Sequence, residues 1–153
     1  MTVELRLNGK EIRDEVAPER LLLDYLREDH GLTGAKRSCE VQVCGTCTVL
    51  VDGLPVSSCC TIVADVDGRD VLTIEGFADL PEFERFERAF VDHAALQCGF
   101  CTGGMLLTIK SLLDGDELTN VGEIRRCLAG NICRCTGYRG IVEAVAELAG
   151  VVA

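Results

Sequence analysis

The cysteines constrain this chain more than any other feature: ten occur in 153 residues, and eight fall into two compact groups. The first group has the spacing C-x4-C-x2-C-x11-C, and the second has C-x2-C followed, after 31 residues, by C-x-C. Four thiolates are the usual ligand set of a structural zinc ion or an iron–sulfur cluster. The two groups comprise Cys39, Cys44, Cys47 and Cys59, and Cys98, Cys101, Cys133 and Cys135. The chain is therefore predicted to hold two metal centres.

The remaining composition narrows the functional class. The N-terminal segment places charged residues within its apolar pattern, which no signal peptide does. No apolar run reaches the ~18–20 residues of a membrane span. We therefore expect a cytoplasmic protein with no direct membrane insertion, and in that compartment cysteine clusters bind metals more often than they form disulfides. The net charge of −10 disfavours binding to nucleic acid, whose phosphates it would repel.

The two halves of the chain have different periodicities. Alternating apolar residues predict strands in the first half, with Asn8-Gly9 and Asp52-Gly53 as two-residue hairpin turns. Helical spacing follows over residues of about 82–95, 103–113, 120–129 and 138–149, with Asn120 and Glu123 as an N-terminal capping pair. We expect an α+β protein, with a plant-ferredoxin-like β-grasp domain at residues 1–77 and a four-helix bundle domain at residues 78–153.

The spacing of the first group is that of plant-type [2Fe–2S] ferredoxins. Gly45, between two of the cysteines, lets the backbone come close enough for amide N–H groups to point at the sulfurs. Structural zinc usually uses two short paired spacings, so this pattern favours [2Fe–2S] over zinc. Cys59 and Cys60 are adjacent, and the chemistry alone does not choose the fourth ligand between them.

In the second group, both cysteine pairs precede a predicted helix. A helix N-terminus carries free N–H groups and partial positive charge, which suit an anionic cluster. The spacing alone nevertheless leaves an iron–sulfur cluster, a zinc ion and a redox-active dithiol open.

Four stretches resemble signature motifs of the iron–sulfur subunit of the molybdenum hydroxylases, the xanthine dehydrogenase family. They occur in the family's order and spacing and span nearly the whole chain. They are C-E-V-Q-V-C-G-T-C-T-V from Cys39, S-C at Ser58, Q-C-G-F-C-T from Gln97 and G-N-I-C-R-C-T-G-Y from Gly130.

The resemblance implies two [2Fe–2S] clusters, with Cys59 as the fourth ligand of the first and Cys60 at an apolar position. We expect Cys60 and Cys127 to pack in the core. The second cluster would lie beside molybdopterin, as its cytosine dinucleotide, on a separate large subunit, with Gln97 and Cys135 contacting the pterin. The first cluster would face FAD on a medium subunit or an external acceptor, within a heterotrimer or its dimer.

The resemblance therefore implies an electron-transfer subunit of a molybdenum-containing hydroxylase or dehydrogenase, with no catalytic acid or base on this chain. The alternative is a free-standing two-cluster carrier or a redox sensor, although the chain has no recognisable DNA- or effector-binding element. One departure from the family's motif is Gly103, where the family usually has proline. Glycine is expected to loosen the start of its helix by about 1 kcal/mol or less.

Overall fold

The computed structural model describes residues 1–115 and 118–152, which form an α+β structure with one mixed sheet. The strands are β1 (Thr2–Leu7), β2 (Lys10–Glu15), β3 (Thr48–Val51), β4 (Leu54–Ser57) and β5 (Asp70–Leu72). The helices are α1 (Leu22–Asp24), which continues as a π-helical turn over Tyr25–Asp29, α2 (Ile74–Ala78), α3 (Phe83–Asp92), α4 (Thr102–Asp114), α5 (Val121–Cys127) and α6 (Arg139–Ala149).

The sheet has the strand order β2-β1-β5-β3-β4. Its strand pairs are antiparallel except for β1 and β5, which are parallel. Both predicted hairpin turns are confirmed, because Asn8 and Gly9 have φ of 50° and 79°, and Asp52 and Gly53 have φ of 50° and 80°. Positive φ at both central residues is the property that matches a type I′ turn to the twist of its strands.

Strand β3 belongs to two hydrophobic cores at once, because all four of its residues are buried. Val49 and Val51 pack with the inward residues of β1 and with α1, whereas Leu50 joins the core of the later helices. Successive side chains of a strand point to opposite faces of the sheet. The sheet is therefore covered on both sides at this strand, and the two cores share it.

The four helices predicted in the second half are present, with boundaries shifted by a few residues. The Asn120 side chain accepts a hydrogen bond from the Glu123 N–H at 3.0 Å, as its predicted capping role requires. The Glu123 carboxylate reaches back to the Thr119 N–H, at 2.9 Å, and not to that of Asn120. Among the described helices, none combines the length and apolarity that a membrane span requires.

The short helix α2 carries the chain from the sheet to the helices. Its Phe77 is buried and packs edge-to-face on Phe83 at 5.2 Å and on Phe86 at 5.0 Å between ring centroids. Edge-to-face packing is a preferred geometry for aromatic pairs. Helix α2 is thereby fixed to α3, and it crosses the residue at which the sequence predicts a domain boundary.

Candidate iron–sulfur sites

Cys39, Cys44 and Cys47 lie in the loop that leads into β3, and Cys59 lies in the turn that follows β4. Between Cys39 and Cys47, three residues have left-handed backbones: Glu40, Gln42 and Gly45, with φ of 56°, 58° and 69°. Their alternation with ordinary residues curls the chain, so that the N–H groups of Val43 and Cys44 both lie 3.4 Å from Cys39 Sγ. Hydrogen bonds from Val41, Val43 and Cys44 lower the pKa of Cys39 to about 6. The loop is therefore shaped to stabilise negative charge on sulfur.

Two ligand candidates of this site, Cys47 and Cys59, are buried. Cys47 and Cys59 lie within hydrogen-bonding reach of each other, and burial raises the pKa of Cys47 to about 11. Ser58, which is also buried, donates a hydrogen bond to the Cys47 carbonyl at 2.7 Å. This bond fixes the turn that carries Cys59 against the loop that carries Cys47.

The expectation that Cys60 packs in the core is wrong. Its side chain is exposed, and its Sγ lies 3.6 Å from Cys59 Sγ and 3.7 Å from the Glu40 carbonyl oxygen. The physical reason is the single helical turn over Ser58–Cys60, in which Ser58 and Cys59 face inward and their neighbour faces solvent. Cys127 is half-buried and packs against the helical core.

The second group is assembled from two loops, each of which leads into a helix. Cys98 and Cys101 immediately precede α4, and Cys133 and Cys135 precede α6. Cys135 Sγ lies 3.5 Å from Cys98 Sγ, and Cys101 and Cys133 are also within hydrogen-bonding reach. Cys101 and Cys133 are each 9% exposed, whereas Cys98 and Cys135 are exposed. The site is therefore buried at one end and open to solvent at the other.

The pKa values of the two buried thiols of the second site are shifted in opposite directions. Burial raises the pKa of Cys101 to about 12. Burial also acts to raise the pKa of Cys133, but hydrogen bonds from the Thr136 hydroxyl and from the Thr136 and Cys135 N–H groups outweigh it and lower that pKa to about 7. The Thr136 hydroxyl donates to Cys133 Sγ at 3.2 Å. The loop before α6 thus supplies donors to a sulfur that carries negative charge.

In both sites the thiols are arranged as two pairs. Two thiolates on one tetrahedral metal lie about 3.7 Å apart when the metal–sulfur bond is about 2.3 Å, so the 3.5 Å between Cys98 and Cys135 suits a shared metal. Within residues 1–115 and 118–152, no three His, Cys, Asp or Glu side chains converge as one metal ion requires. The pairs are Cys39 with Cys44, Cys47 with Cys59, Cys98 with Cys135, and Cys101 with Cys133. Paired thiols fit a cluster of two irons better than they fit a single zinc ion.

The two ligand loops contact each other directly. The Ile132 N–H donates to the Cys44 carbonyl at 2.9 Å, and the Asn131 amide donates to the Gly45 carbonyl at 3.3 Å. A Cβ at Gly45 would lie 2.4 Å from the Gly130 carbonyl oxygen, and one at Gly104 would lie 2.2 Å from the Gly45 carbonyl oxygen. Non-bonded heavy atoms do not lie this close together, so the close contact between these segments requires glycine at both positions. The sequence indicated a role for Gly45 at the sulfurs and missed this contact between the sites.

Tyr138 is a further structural residue of the second site that sequence reasoning missed. Its hydroxyl accepts a hydrogen bond from the Cys133 N–H at 2.7 Å and donates to the Asn131 carbonyl at 2.8 Å. Its own backbone is left-handed, with φ of 67°, which is uncommon for a bulky residue. The one signal for it in the sequence is its place at the end of the motif that begins at Gly130.

The two predicted pterin-contact residues both lie at the protein surface. Gln97 and Cys135 are exposed, and so is Cys98 between them in the site. Three apolar side chains near these residues in the two loops are also exposed: Leu96, Phe100 and Ile132. This surface is open to a partner chain.

Two family models match consecutive parts of the chain. A 2Fe-2S iron-sulfur cluster binding domain matches residues 5–72, and a [2Fe-2S] binding domain matches residues 73–146. Together they cover most of the chain and all eight cysteines of the two groups.

Curated proteins and solved structures match over nearly the full length. The chain is 43% identical to the nicotine 6-hydroxylase small subunit of Paenarthrobacter nicotinovorans, over 97% of this chain and 89% of the relative. It is 39% identical to the xanthine dehydrogenase iron-sulfur-binding subunit of Escherichia coli O157:H7, over 96% and 93% of the two chains. Quinoline 2-oxidoreductase from Pseudomonas putida 86 superposes with a TM-score of 0.90 at 42% identity, over 97% of this chain and 92% of that one.

The aldehyde oxidoreductase of Desulfovibrio gigas superposes with a TM-score of 0.89 at 38% identity, over 98% of this chain but 17% of that much longer one. The chain therefore belongs to the family of iron–sulfur subunits of the molybdenum hydroxylases. It is an electron-transfer subunit of an oxidoreductase complex, with two [2Fe–2S] clusters.

Proposed function

We propose that this chain passes electrons from a molybdopterin centre on a large subunit, through its second cluster and then its first, to FAD on a medium subunit or to an external acceptor. The observation that carries the proposal is the hydrogen bond from Ile132 to the Cys44 carbonyl, because it joins the ligand loops of the two sites. A free-standing carrier would also use such a bond, but the open, apolar surface at the second site favours a subunit.

The proposed ligands are Cys39, Cys44, Cys47 and Cys59 for the first cluster and Cys98, Cys101, Cys133 and Cys135 for the second. Their arrangement in pairs, with peptide N–H groups aimed at Cys39, supports this assignment. Burial of Cys59 beside Cys47 supports it over the exposed Cys60 as the fourth ligand of the first cluster. When bound, such clusters supply one-electron redox chemistry, and the chain's part is to hold them, donate hydrogen bonds to sulfur and limit access of water.

The second site is proposed to face the large subunit, which would carry molybdopterin as its cytosine dinucleotide. Gln97 and Cys135 would contact the pterin, since both are exposed beside the second group. Exposed apolar side chains at Leu96, Phe100 and Ile132 support a protein interface there.

The first site is proposed to face the electron acceptor. Val41 and Val43, in its loop, are 65% and 56% exposed, which provides an apolar contact surface close to Cys39 and Cys44. An FAD-binding medium subunit at this surface would complete a heterotrimer, or a dimer of heterotrimers.

Oxidation of the substrate would occur on the large subunit. Relatives of this chain are named for nicotine, nicotinate and xanthine, and one similar structure for quinoline. An N-heteroaromatic compound, a purine among them, is therefore the proposed substrate class of the complex, with an aldehyde as the second candidate.

We also propose that residues 1–77 form a ferredoxin-like β-grasp domain and residues 78–153 a four-helix bundle. The family models meet between residues 72 and 73, so limited proteolysis of the chain would decide whether α2 belongs to the first or the second domain. We propose that the chain assembles in the cytoplasm, where thiols stay reduced and cysteine clusters bind metals more often than they form disulfides.

The test is purification of the tagged chain from its native host, with mass spectrometry of the associated proteins and metal analysis of the same sample. We expect a large molybdenum-containing chain and about four iron atoms per copy of this chain, since each [2Fe–2S] cluster holds two. Recovery of the chain alone, with iron and without molybdenum, would instead support the free carrier.

A further inference from the structure

A cavity of about 620 Å³ opens between α5 and α6, beside Tyr138. Its apolar lining includes Val121, Leu128 and Val142, and its charged lining consists of Arg125, Arg139 and Glu143. This volume lies within the range of roughly 300–1,000 Å³ typical of ligand-binding sites. The electron-transfer role described above does not use this cavity.

The chemistry of the cavity suits a protein segment better than a small polar molecule. Small-molecule sites hold a few converging polar groups that fix the ligand's orientation. Throughout the described residues, no buried side-chain nitrogen or oxygen lacks a hydrogen-bond partner. The cavity therefore offers no buried, unpaired polar group to orient a small ligand. An apolar lining with charged side chains is instead the arrangement found where one anchor side chain of a partner inserts.

Two of the three charged residues that line the cavity are arginines, which favours an acidic partner. The chain as a whole carries a net charge of −10, yet two arginines stand at this opening. Arg139 is paired with Glu143 at 2.9 Å. Arg125 is exposed and forms no ion pair with any residue that the structure describes. A carboxylate arriving at Arg125 would gain a partner without breaking any ion pair that residues 1–115 and 118–152 form.

The cavity is continuous with the surface of the second site. Gly137, two residues after Cys135, lines it, and Tyr138 forms one of its walls. The hydroxyl of the same tyrosine accepts a hydrogen bond from the Cys133 N–H at 2.7 Å. A subunit that covers the exposed thiols of the second site therefore lies beside this opening. A second copy of this chain would bring a second acidic surface against the first.

We propose that this cavity docks a segment of the large molybdopterin-binding subunit, which inserts one bulky apolar side chain between α5 and α6 and pairs a carboxylate with Arg125. The inference rests on the proposed function, because it assigns that subunit to the second site. Since Tyr138 contacts both the cavity and the second ligand loop, the same contact would hold the ligand loop in place when the subunits assemble.

The first experiment places the photo-crosslinker benzoylphenylalanine at Ala129, an exposed residue that lines the cavity, in the tagged chain within its native complex. Irradiation should attach this chain to the large molybdenum-containing chain, as identified by mass spectrometry. Attachment to a second copy, to a medium subunit or to no protein, in a sample that contains the large chain, would overturn the docking inference and leave the proposed function standing. Absence of the large chain from the sample would overturn both.

The second experiment compares Arg125→Glu with Arg126→Glu, which changes a neighbouring arginine that is also exposed and does not line the cavity. Recovery of the large chain with the tagged subunit should fall at least tenfold for Arg125→Glu and stay within twofold for Arg126→Glu. Iron content and the visible spectrum of both variant chains should match those of the wild type, which separates lost docking from lost folding. Equal recovery with the two variants would overturn the role of Arg125 and, with it, the inference.

Discussion

The first site is held by one continuous loop and a single turn, whereas the second is assembled from two loops that are distant in sequence. In the first, Cys47 and Cys59 are buried, and the loop supplies its own N–H donors to Cys39. In the second, Cys98 and Cys135 are exposed at the end that faces solvent. Two ligand candidates of the first site are therefore enclosed by the chain itself, whereas the second site is open to solvent at one end.

The largest expected effect of this difference is on the rate at which each cluster loses its iron. When the purified chain, free of partners, is treated with an iron chelator, the second cluster should be lost several-fold faster than the first, because two of its thiols are open to solvent. Electron paramagnetic resonance of the reduced chain distinguishes the two clusters during the time course. Equal rates of loss would show that exposure of Cys98 and Cys135 does not govern the stability of the site.

The contact between the two sites can be tested by a substitution at Gly104. Gly104→Ala should destabilise the chain by about 3 kcal/mol, because its Cβ would lie 2.2 Å from the Gly45 carbonyl oxygen, and either helix α4 or the loop that carries Gly45 must move. Denaturant unfolding of the iron-loaded chain measures the change. A variant as stable as the wild type would mean that the helix and the loop separate at little cost.

The hydroxyl of Tyr138 contacts the ligand loop of the second site, and its removal is expected to have a smaller effect. Tyr138→Phe removes the acceptor of the Cys133 N–H and should destabilise the second site by about 1–2 kcal/mol, since a partly buried donor is left unpaired. The matched control is Tyr25→Phe, which removes a hydroxyl that donates to Asp14 at 2.7 Å in the sheet region. Only the first of these variants should alter the resonance signal of the second cluster, and a change in both would contradict a local role for Tyr138.

The smallest effect is expected at Gly103, near the start of helix α4. A Cβ there would meet its nearest neighbours, the Gly34 carbonyl oxygen and Ile74, at 3.4 Å, so alanine fits. Gly103→Ala should stabilise the chain by about 0.5–1 kcal/mol by reducing the freedom of the unfolded state. The same unfolding assay as for Gly104→Ala applies, and a loss of stability would show that the start of α4 needs glycine.

Local chemistry explains which features the sequence predicted well. Cys39, Cys44 and Cys47 share one loop, as their short spacing predicted, because residues close together in the chain stay close in the fold. The turns at Asn8-Gly9 and Asp52-Gly53 were equally predictable, since both residues tolerate positive φ. The cap at Asn120 also depends on residues within one turn of the chain.

The features that the sequence did not predict depend on contacts between distant residues. The approach of Gly45 to Asn131 and Gly104 joins three segments, and no local pattern contains it. The outward direction of Cys60 depends on how its turn packs against the Cys47 loop. Helix α2 is stabilised by Phe77 in the aromatic cluster of α3, although Gly76 within it is a poor helix former.

The central claim is that electrons reach the first cluster by way of the second. The most direct measurement is reduction of the first cluster, followed by rapid-freeze paramagnetic resonance, after the complete complex is mixed with a substrate that it oxidises. The variant is Cys98→Ala, which removes a proposed ligand of the second cluster and spares Cys135. We expect substrate to leave the first cluster oxidised in this variant, while dithionite still reduces it. Reduction by substrate at the wild-type rate would contradict the account.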